Sequence, residues 1–294
     1  MTIPVGYRGA LLVLVGTAFY SFGGVGVKLC HFDTWQLSML RSMIAAAAIF
    51  TLVPEARRAW TPSVLVVGLC QGATMMLFVW GNKTTTAANA ILLQSLAPLW
   101  IILLSPFVLK ERLGWHDAVS GLAFLAGLVV IAIGPTPATE LSPQISKGNW
   151  ISLACGVSYA LMVVGLRAKA GRGAEASLVC GNVLAAALSA VVLFGAGTSP
   201  GWVSGTPMDW LVVAGLGLVQ LTGGSVFYTR GLRYVTAVRA SLIGLLEPVL
   251  NPIWVMLICP NERPGGWALI GGAVILAATG YQVIVRPSEK TAES

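Results

Sequence analysis

Charged residues are scarce in this chain. They make up 10% of its 294 residues, whereas 56% of the residues are hydrophobic and the mean hydropathy is +0.81. A soluble domain needs about 25% charged residues to cover its surface. The deficit excludes a water-facing shell, so most of the surface must face lipid.

The sequence also lacks the motifs of metal, disulfide and catalytic sites. Its five cysteines are scattered singly without a CxxC pair, and its two histidines are far apart. It contains no HExxH, no GxSxG with a distant partner histidine and no aspartate-rich metal motif. We therefore expect no metal ion and no cofactor, and the chain is predicted not to be an enzyme.

What the chain does contain is a series of apolar runs. A helix that crosses a hydrocarbon core of about 30 Å needs roughly 20 apolar residues, and runs of that size recur from end to end. We predict ten transmembrane helices, and the structure is expected to be all-α. The predicted spans are Gly9–Val27, Thr34–Val53, Ser63–Gly81, Ala87–Leu109, Asp117–Gly134, Asn149–Leu166, Glu175–Ala196, Met208–Thr229, Ala240–Ile258 and Gly265–Val285.

The positions of the basic residues indicate the orientation of the chain in the membrane and not a nucleic-acid partner. They occur in groups of one to three between apolar runs, never as a patch, so the net charge of +7 does not indicate nucleic acid. With the N-terminus inside, the inner segments hold thirteen lysines and arginines, and the outer segments hold four. This bias predicts that both termini are cytoplasmic.

The two halves of the chain resemble each other at a shift of 150 residues. Gly81, Thr86, Ala87, Ala90, Leu92, Leu96 and Pro98 recur as Gly231, Thr236, Ala237, Ala240, Leu242, Leu246 and Pro248. Five helices per half is an odd number, so the second half must enter the membrane from the opposite side. Such inverted repeats are typical of alternating-access transporters with a central site, and duplication for stability alone is the alternative. The predicted organisation is a first repeat at 1–134, a linker at 135–148, a second repeat at 149–285 and a cytoplasmic tail at 286–294.

Short motifs within these repeats resemble the EamA type of the drug/metabolite transporter superfamily. They are Leu96-Ala97-Pro98 with Glu111-Arg112, Leu246-Glu247-Pro248 with Glu262-Arg263, and Leu40-Arg41-Ser42. The resemblance covers about Gly9 to Val285. It implies a central cavity lined by helices one to four and six to nine, with helices five and ten at the periphery. It also implies either export of amino acids and other metabolites, or exchange of sugars, nucleotide sugars and phosphates.

Two ionisable residues within the spans are candidates for the site. Such groups cost about 2.5–3.5 kcal/mol at membrane depth and often mark function. Glu247 lies midway along the ninth span, before Pro248 and one turn before Asn251. Because proline removes a backbone donor, a carboxylate beside this kink is a candidate for binding a proton or a cationic group. Arg41 is a candidate for holding a substrate carboxylate. The alternatives are structural: Arg41 extends towards the membrane surface or forms an ion pair, and Glu247 pairs with Arg41 or with a helix end.

The remaining candidates are neutral. Gln94 lies near the midplane of the fourth span, and Tyr20 and Tyr159 occupy corresponding positions halfway along the first and sixth spans. Tyr228, Trp80 and Trp100 are weaker candidates, because an aromatic side chain more often faces lipid or a neighbouring helix. The predicted substrate-binding residues are Tyr20, Arg41, Trp80, Gln94, Trp100, Tyr159, Tyr228, Glu247 and Asn251. Gly68 and Gly72 fit the small-xxx-small pattern of close helix contact.

The sequence therefore predicts a secondary transporter that moves a small metabolite by alternating access. Mostly neutral, aromatic candidates favour an amino acid or similar compound over a phosphate ester, which would require several cations at depth. The resemblance to the family implies that the compound is exported. The alternatives are an exchanger of the same superfamily, an intramembrane enzyme, and a channel or non-transporting scaffold. We expect the protein to lie in the inner membrane as a monomer or dimer. Its expected partners are a small-molecule substrate and a coupling proton at Glu247, and no nucleic acid.

Overall fold

The computed structural model describes residues 5–109, 115–133, 140, 142–170, 172–195, 205–258 and 265–285. The chain is helical in these residues. Glu111-Arg112 and Glu262-Arg263, two of the repeated motifs, lie outside them. The helices are α1 (Val5–Tyr20), α2 (Gly23–Leu29), α3 (Thr34–Leu52), α4 (Pro62–Thr84), α5 (Ala87–Gln94), α6 (Ala97–Val108), α7 (Trp115–Ile133), α8 (Ile145–Ala168), α9 (Ala174–Gly195), α10 (Pro207–Gly215), α11 (Gly224–Gly231), α12 (Ala237–Gly244), α13 (Leu246–Ile258) and α14 (Gly266–Val285).

Eight helical segments in the described residues are long and apolar enough to cross a membrane. They correspond to the predicted spans one to four and six to nine. The fifth and tenth predicted spans correspond to α7 and α14, which have 19 and 20 residues and include the described apolar stretches Ala118–Gly127 and Gly266–Ala278. The all-helical membrane fold is therefore confirmed, and the count of ten stays a prediction.

Several predicted spans are not the continuous helices that hydropathy suggests. The first is interrupted between α1 and α2, the fourth between α5 and α6, and the ninth between α12 and α13. The eighth changes to a π-helix over Leu216–Gly223 between α10 and α11. Hydropathy averages over a window of residues, so it does not register a break of one or two residues.

The interruptions of the fourth and ninth spans are alike. Helices α5 and α12 begin and end at positions related by the same shift of 150 residues. Each is preceded by a threonine whose hydroxyl accepts a hydrogen bond from the backbone N–H three residues later, Thr86 from Asn89 (3.1 Å) and Thr236 from Arg239 (3.2 Å). This cap satisfies one of the free donors at the start of each helix. The repeat seen in sequence therefore extends to local helix geometry.

Most of the close helix packing joins the first half of the chain to the second. Helix α1 packs along α11, α4 packs against α8 and α9, α3 packs against α9, and α7 packs along α14. Glycines allow close approach between α4 and α9: a Cβ added to Gly68 would lie 2.7 Å from Cys180 Sγ, and one added to Gly72 would lie 2.9 Å from the Gly181 carbonyl oxygen. The predicted small-residue contact at Gly68 and Gly72 is confirmed.

A buried carboxylate joins two helix ends at one end of the bundle. Asp209, in the first turn of α10, is 1% exposed. It accepts hydrogen bonds from the backbone N–H groups of His31 (2.8 Å) and Thr206 (2.9 Å) and from the Thr206 hydroxyl (2.7 Å), and it contacts His31 Nδ1 at 3.0 Å. Asp209 and Thr206 form a capping box. The segment between α2 and α3 is thus held against the start of α10.

We expect Asp209→Ala to lower the free energy of unfolding by about 2–3 kcal/mol, because it removes the cap and leaves buried donors without an acceptor. Thermal unfolding of the purified protein in detergent, followed by tryptophan fluorescence, measures the change. His31→Ala is the matched control: it removes one of the four contacts and keeps the backbone donor, so its loss should be smaller. Equal melting temperatures for Asp209→Ala and wild type would contradict the assignment.

Candidate functional site

The breaks in two helices bring polar side chains into the centre of the bundle. Pro98 and Pro248 lie just after the breaks and have no N–H group, so the carbonyls of Gln94 and Gly244, four residues earlier, lose their usual helical donor. Gln94 is the last residue of α5, and Glu247 is the second residue of α13. Broken helices of this kind commonly form the binding sites of transporters.

A cavity lies beside these breaks. The lining side chains come from seven of the ten predicted spans, namely the first four, the sixth, the eighth and the ninth. The lining residues are Tyr20, Arg41, Thr74, Met75, Phe78, Gln94, Tyr159, Gln220, Leu221 and Glu247.

Arg41 supplies the positive charge of the cavity. Its side chain is 1% exposed, its Nη2 donates a hydrogen bond to the Met75 carbonyl oxygen (2.8 Å), and its guanidinium carbon lies 5.4 Å from the centre of the Phe78 ring. Its Nε and Nη1 atoms have no hydrogen-bond partner among the described residues. The guanidinium is therefore held in place with part of its donor capacity unused.

Glu247 supplies the negative charge. It is buried and lies in the first turn of α13, where the helix dipole favours a carboxylate. Within the described residues it forms no hydrogen bond and no ion pair. The structural alternative in which Glu247 pairs with Arg41 is thus not what these residues show. An arginine and a buried carboxyl group therefore line one cavity without forming an ion pair with each other.

Three tyrosines form the aromatic part of the site. Tyr20 donates a hydrogen bond to Ser225 Oγ (2.9 Å). The Tyr228 ring centre lies 6.1 Å from that of Tyr20 and 6.4 Å from that of Tyr159, so it connects the two. Its hydroxyl is buried and interacts with the hydroxyl of Tyr159. Tyr228 therefore packs behind the two tyrosines that line the cavity.

The structure brings five of the nine predicted residues to the cavity and places the others elsewhere. Tyr20, Arg41, Gln94, Tyr159 and Glu247 line it. Trp80 packs against Trp35, with ring centres 5.4 Å apart, and Lys147 Nζ lies 5.7 Å from its ring centre. Trp100 is half-buried beside the hydrophobic core. Asn251 is fully buried, and a Cβ at Gly24 would lie 2.2 Å from its Oδ1 atom.

Five lining residues are absent from the sequence prediction: Thr74, Met75, Phe78, Gln220 and Leu221. Gln220 had a detectable signal, since it is an amide in the middle of an apolar run, as Gln94 is. It lies in the π-helical segment, a deviation that is frequent at functional sites. The other four are apolar or hydroxyl side chains, and nothing in the sequence distinguishes them from residues that face lipid.

Comparison with known proteins identifies the family. The sequence profile of the EamA-like transporter family matches residues 7–133 and again residues 146–281. The chain belongs to the EamA-like transporter family. It is accordingly a multi-pass membrane protein that transports a small molecule, and the prediction made from its short motifs is confirmed.

Individual relatives agree with the family. A probable terminal-alkyne amino-acid exporter of Streptantibioticus cattleyicolor is 26% identical over 91% of this chain and 90% of its own length. The pseudopaline exporter CntI of Pseudomonas aeruginosa is 25% identical over 95% of this chain and 96% of its own length. The aromatic amino acid exporter YddG of Ancylobacter novellus is 29% identical over 69% of each chain. The family and these relatives are transporters, which gives no support to the intramembrane-enzyme alternative.

A solved structure shares the fold of this transporter. It superposes with a TM-score of 0.67 at 23% identity, over 94% of this chain and 96% of that one.

Proposed function

We propose that this transporter moves a small metabolite by alternating access between two inverted five-helix repeats. The repeats are residues 1–134 and 149–285, and a linker at 135–148 joins them. The protein lies in the inner membrane, with the N-terminus and the tail at 286–294 in the cytoplasm. The central cavity is the substrate site, and seven of the ten spans line it. Rocking of one repeat against the other opens the cavity to each side in turn.

The helix packing supports the inverted repeat. Helix α1 packs along α11, and α8 packs along α4. In the proposed repeat the first span corresponds to the sixth and the eighth span to the third. Exchange of the two halves therefore converts one of these pairs into the other, as a twofold axis between the repeats requires. The odd number of spans in each repeat is what places this axis in the membrane plane.

The observation that carries the proposal is the cavity itself. It lies between the halves, and its two charged side chains come one from each half, Arg41 from the first and Glu247 from the second. A scaffold has no use for two buried charges that do not neutralise each other, because each is costly at membrane depth. A carrier uses them to bind a substrate.

The substrate class that fits is an amino acid or similar compound, moved outwards. Three relatives are named as exporters, and two of those names specify amino acids. A sugar phosphate or nucleotide sugar would need several cations, and Arg41 is the one lysine or arginine among the described residues that line the cavity. Exchange of phosphate compounds is therefore disfavoured.

Proton coupling is proposed at Glu247. Its carboxyl group is buried and lines the cavity, where a proton and the substrate can reach the same oxygen atoms. If the substrate and a proton compete for Glu247, the two move in opposite directions.

Counterflow in proteoliposomes tests the transport proposal. Vesicles that contain the purified protein are loaded with unlabelled amino acids, and the uptake of each labelled amino acid is followed. We expect uptake that saturates and that rises several-fold when the same compound is present inside, because a carrier returns faster when it is loaded. Glucose 6-phosphate is the negative control. Uptake without saturation or trans-stimulation indicates a channel and contradicts alternating access.

A further inference from the structure

The strongest unexplained feature of the cavity is its pair of unneutralised charges. Arg41 Nε and Nη1 are enclosed by protein, and no described residue accepts a hydrogen bond from them. A buried donor without an acceptor is costly, and more so when it is charged. The one carbonyl that Arg41 does contact, that of Met75, orients the guanidinium and leaves its charge uncompensated.

Glu247 likewise lacks a partner, in this case a hydrogen-bond donor or a cation. It accepts no hydrogen bond from a described residue, and neither Arg41 nor another cation lies within ion-pair distance among those residues. The two other buried carboxylates among the described residues are compensated: Asp209 by His31 and Thr206, and Glu175 by Arg233. In this part of the chain the cavity therefore holds the buried carboxyl group that lacks such a partner.

A ligand that carries both charges satisfies both residues at once. We infer that the cavity recognises an α-amino acid as a zwitterion, with Arg41 binding the α-carboxylate and Glu247 binding the α-ammonium group. This inference rests on the proposed transport function. Guanidinium matches a carboxylate because it offers several donors in one plane. The two charges of the ligand then bridge the two halves of the protein.

The rest of the cavity indicates which amino acids fit. The rings of Tyr20, Phe78 and Tyr159 lie on the wall, together with Met75 and Leu221. These side chains suit an apolar or aromatic substituent, because burial of apolar surface contributes about 25 cal/mol per Å². The amides of Gln94 and Gln220 supply neutral hydrogen-bonding groups. An aromatic amino acid such as phenylalanine therefore satisfies both the charges and the wall.

Three ligands with one phenyl ring separate the two charges. L-Phenylalanine has both, L-phenylalaninamide lacks the carboxylate, and 3-phenylpropionate lacks the ammonium group. Their affinities for the purified full-length protein in lipid nanodiscs are measured by isothermal titration calorimetry. We expect wild type to bind phenylalanine at least about tenfold more tightly than either analogue, which is the size of effect that one lost charged contact produces.

The variants should then lose affinity for particular ligands. Arg41→Gln is expected to weaken phenylalanine and 3-phenylpropionate about tenfold or more and to leave phenylalaninamide nearly unchanged. Glu247→Gln should weaken phenylalanine and phenylalaninamide and spare 3-phenylpropionate. Arg41→Lys keeps the charge without the planar fork, so an intermediate loss is expected, and this variant serves if Arg41→Gln does not fold.

The outcomes separate this inference from the transport proposal. If wild type exchanges amino acids in proteoliposomes but each variant weakens all three ligands by the same factor, the charge assignment is overturned and the transporter stands. If wild type binds phenylalanine no better than its two analogues, the assignment is overturned as well. Absence of exchange for every amino acid in the panel overturns both.

Discussion

Gly181→Val is expected to destabilise the protein by about 3 kcal/mol or more, a large part of the 5–15 kcal/mol that holds a typical fold together. Gly181 lies in α9, where it crosses α4. A Cβ at this position would lie 2.3 Å from Gln71 Cγ, 2.4 Å from Gln71 Cβ and 2.8 Å from the Gly68 carbonyl oxygen. Because one of these atoms belongs to the backbone of α4, the clash cannot be relieved by rotation of a side chain, and the two helices must separate.

The measurement is thermal unfolding in detergent together with the yield of monodisperse protein. Gly195→Val is the matched control in the same helix, since no described atom beyond its chain neighbours and the adjoining helix backbone lies within 4 Å of a Cβ at Gly195. This control should unfold close to wild type, because valine and glycine differ little in helix propensity. Equal stability of the two variants would show that the contact between α4 and α9 does not depend on close approach.

The second large effect is expected on transport. Glu247→Gln should abolish the response of phenylalanine transport to a proton gradient, because an amide does not take up a proton. In proteoliposomes with an imposed pH step of about one unit, which supplies about 1.4 kcal/mol or a tenfold accumulation, wild type should accumulate substrate against the proton flow. The variant should only equilibrate it, and the assay uses high substrate concentrations because the variant also binds the ammonium group less well.

Glu55→Gln is the control for this experiment. It makes the same chemical change at an exposed position, where the carboxylate forms only a 3.7 Å pair with Arg230. Such surface pairs contribute little, so the control should retain full coupling. If Glu247→Gln accumulates phenylalanine as wild type does, the coupling proton binds elsewhere and the proposal for Glu247 fails.

Composition and the recurrence of apolar runs predicted the membrane fold, and the resemblance of short motifs predicted the family. Lipid requires a long apolar segment for every crossing, so each span can be recognised in the sequence as a run of apolar residues. The repeat was also readable, because Thr86, Pro98 and their counterparts Thr236 and Pro248 stand out against an apolar background. The helix caps and the breaks at α5 and α12 then follow the repeat in the structure.

The residues that line the cavity were only partly predictable from the sequence. Arg41 and Glu247 were found because a charge within an apolar run is conspicuous in sequence. Trp80 and Trp100 were chosen by residue type, and they pack outside the cavity, whereas Phe78 and Leu221 line it without any feature that marks them. The contact between Tyr20 and Ser225 joins residues 205 positions apart and has no local signal.

By itself, the sequence determined that this chain is a membrane protein, that its halves are related and that two ionisable residues, Arg41 and Glu247, lie within its apolar spans. Only the tertiary structure decided that these charges share one cavity without pairing. The physical reason is that helices in lipid are apolar on the faces that meet lipid and on many of the faces that meet other helices. Helical periodicity therefore does not say which way a side chain points, and the packing between the two halves makes that choice.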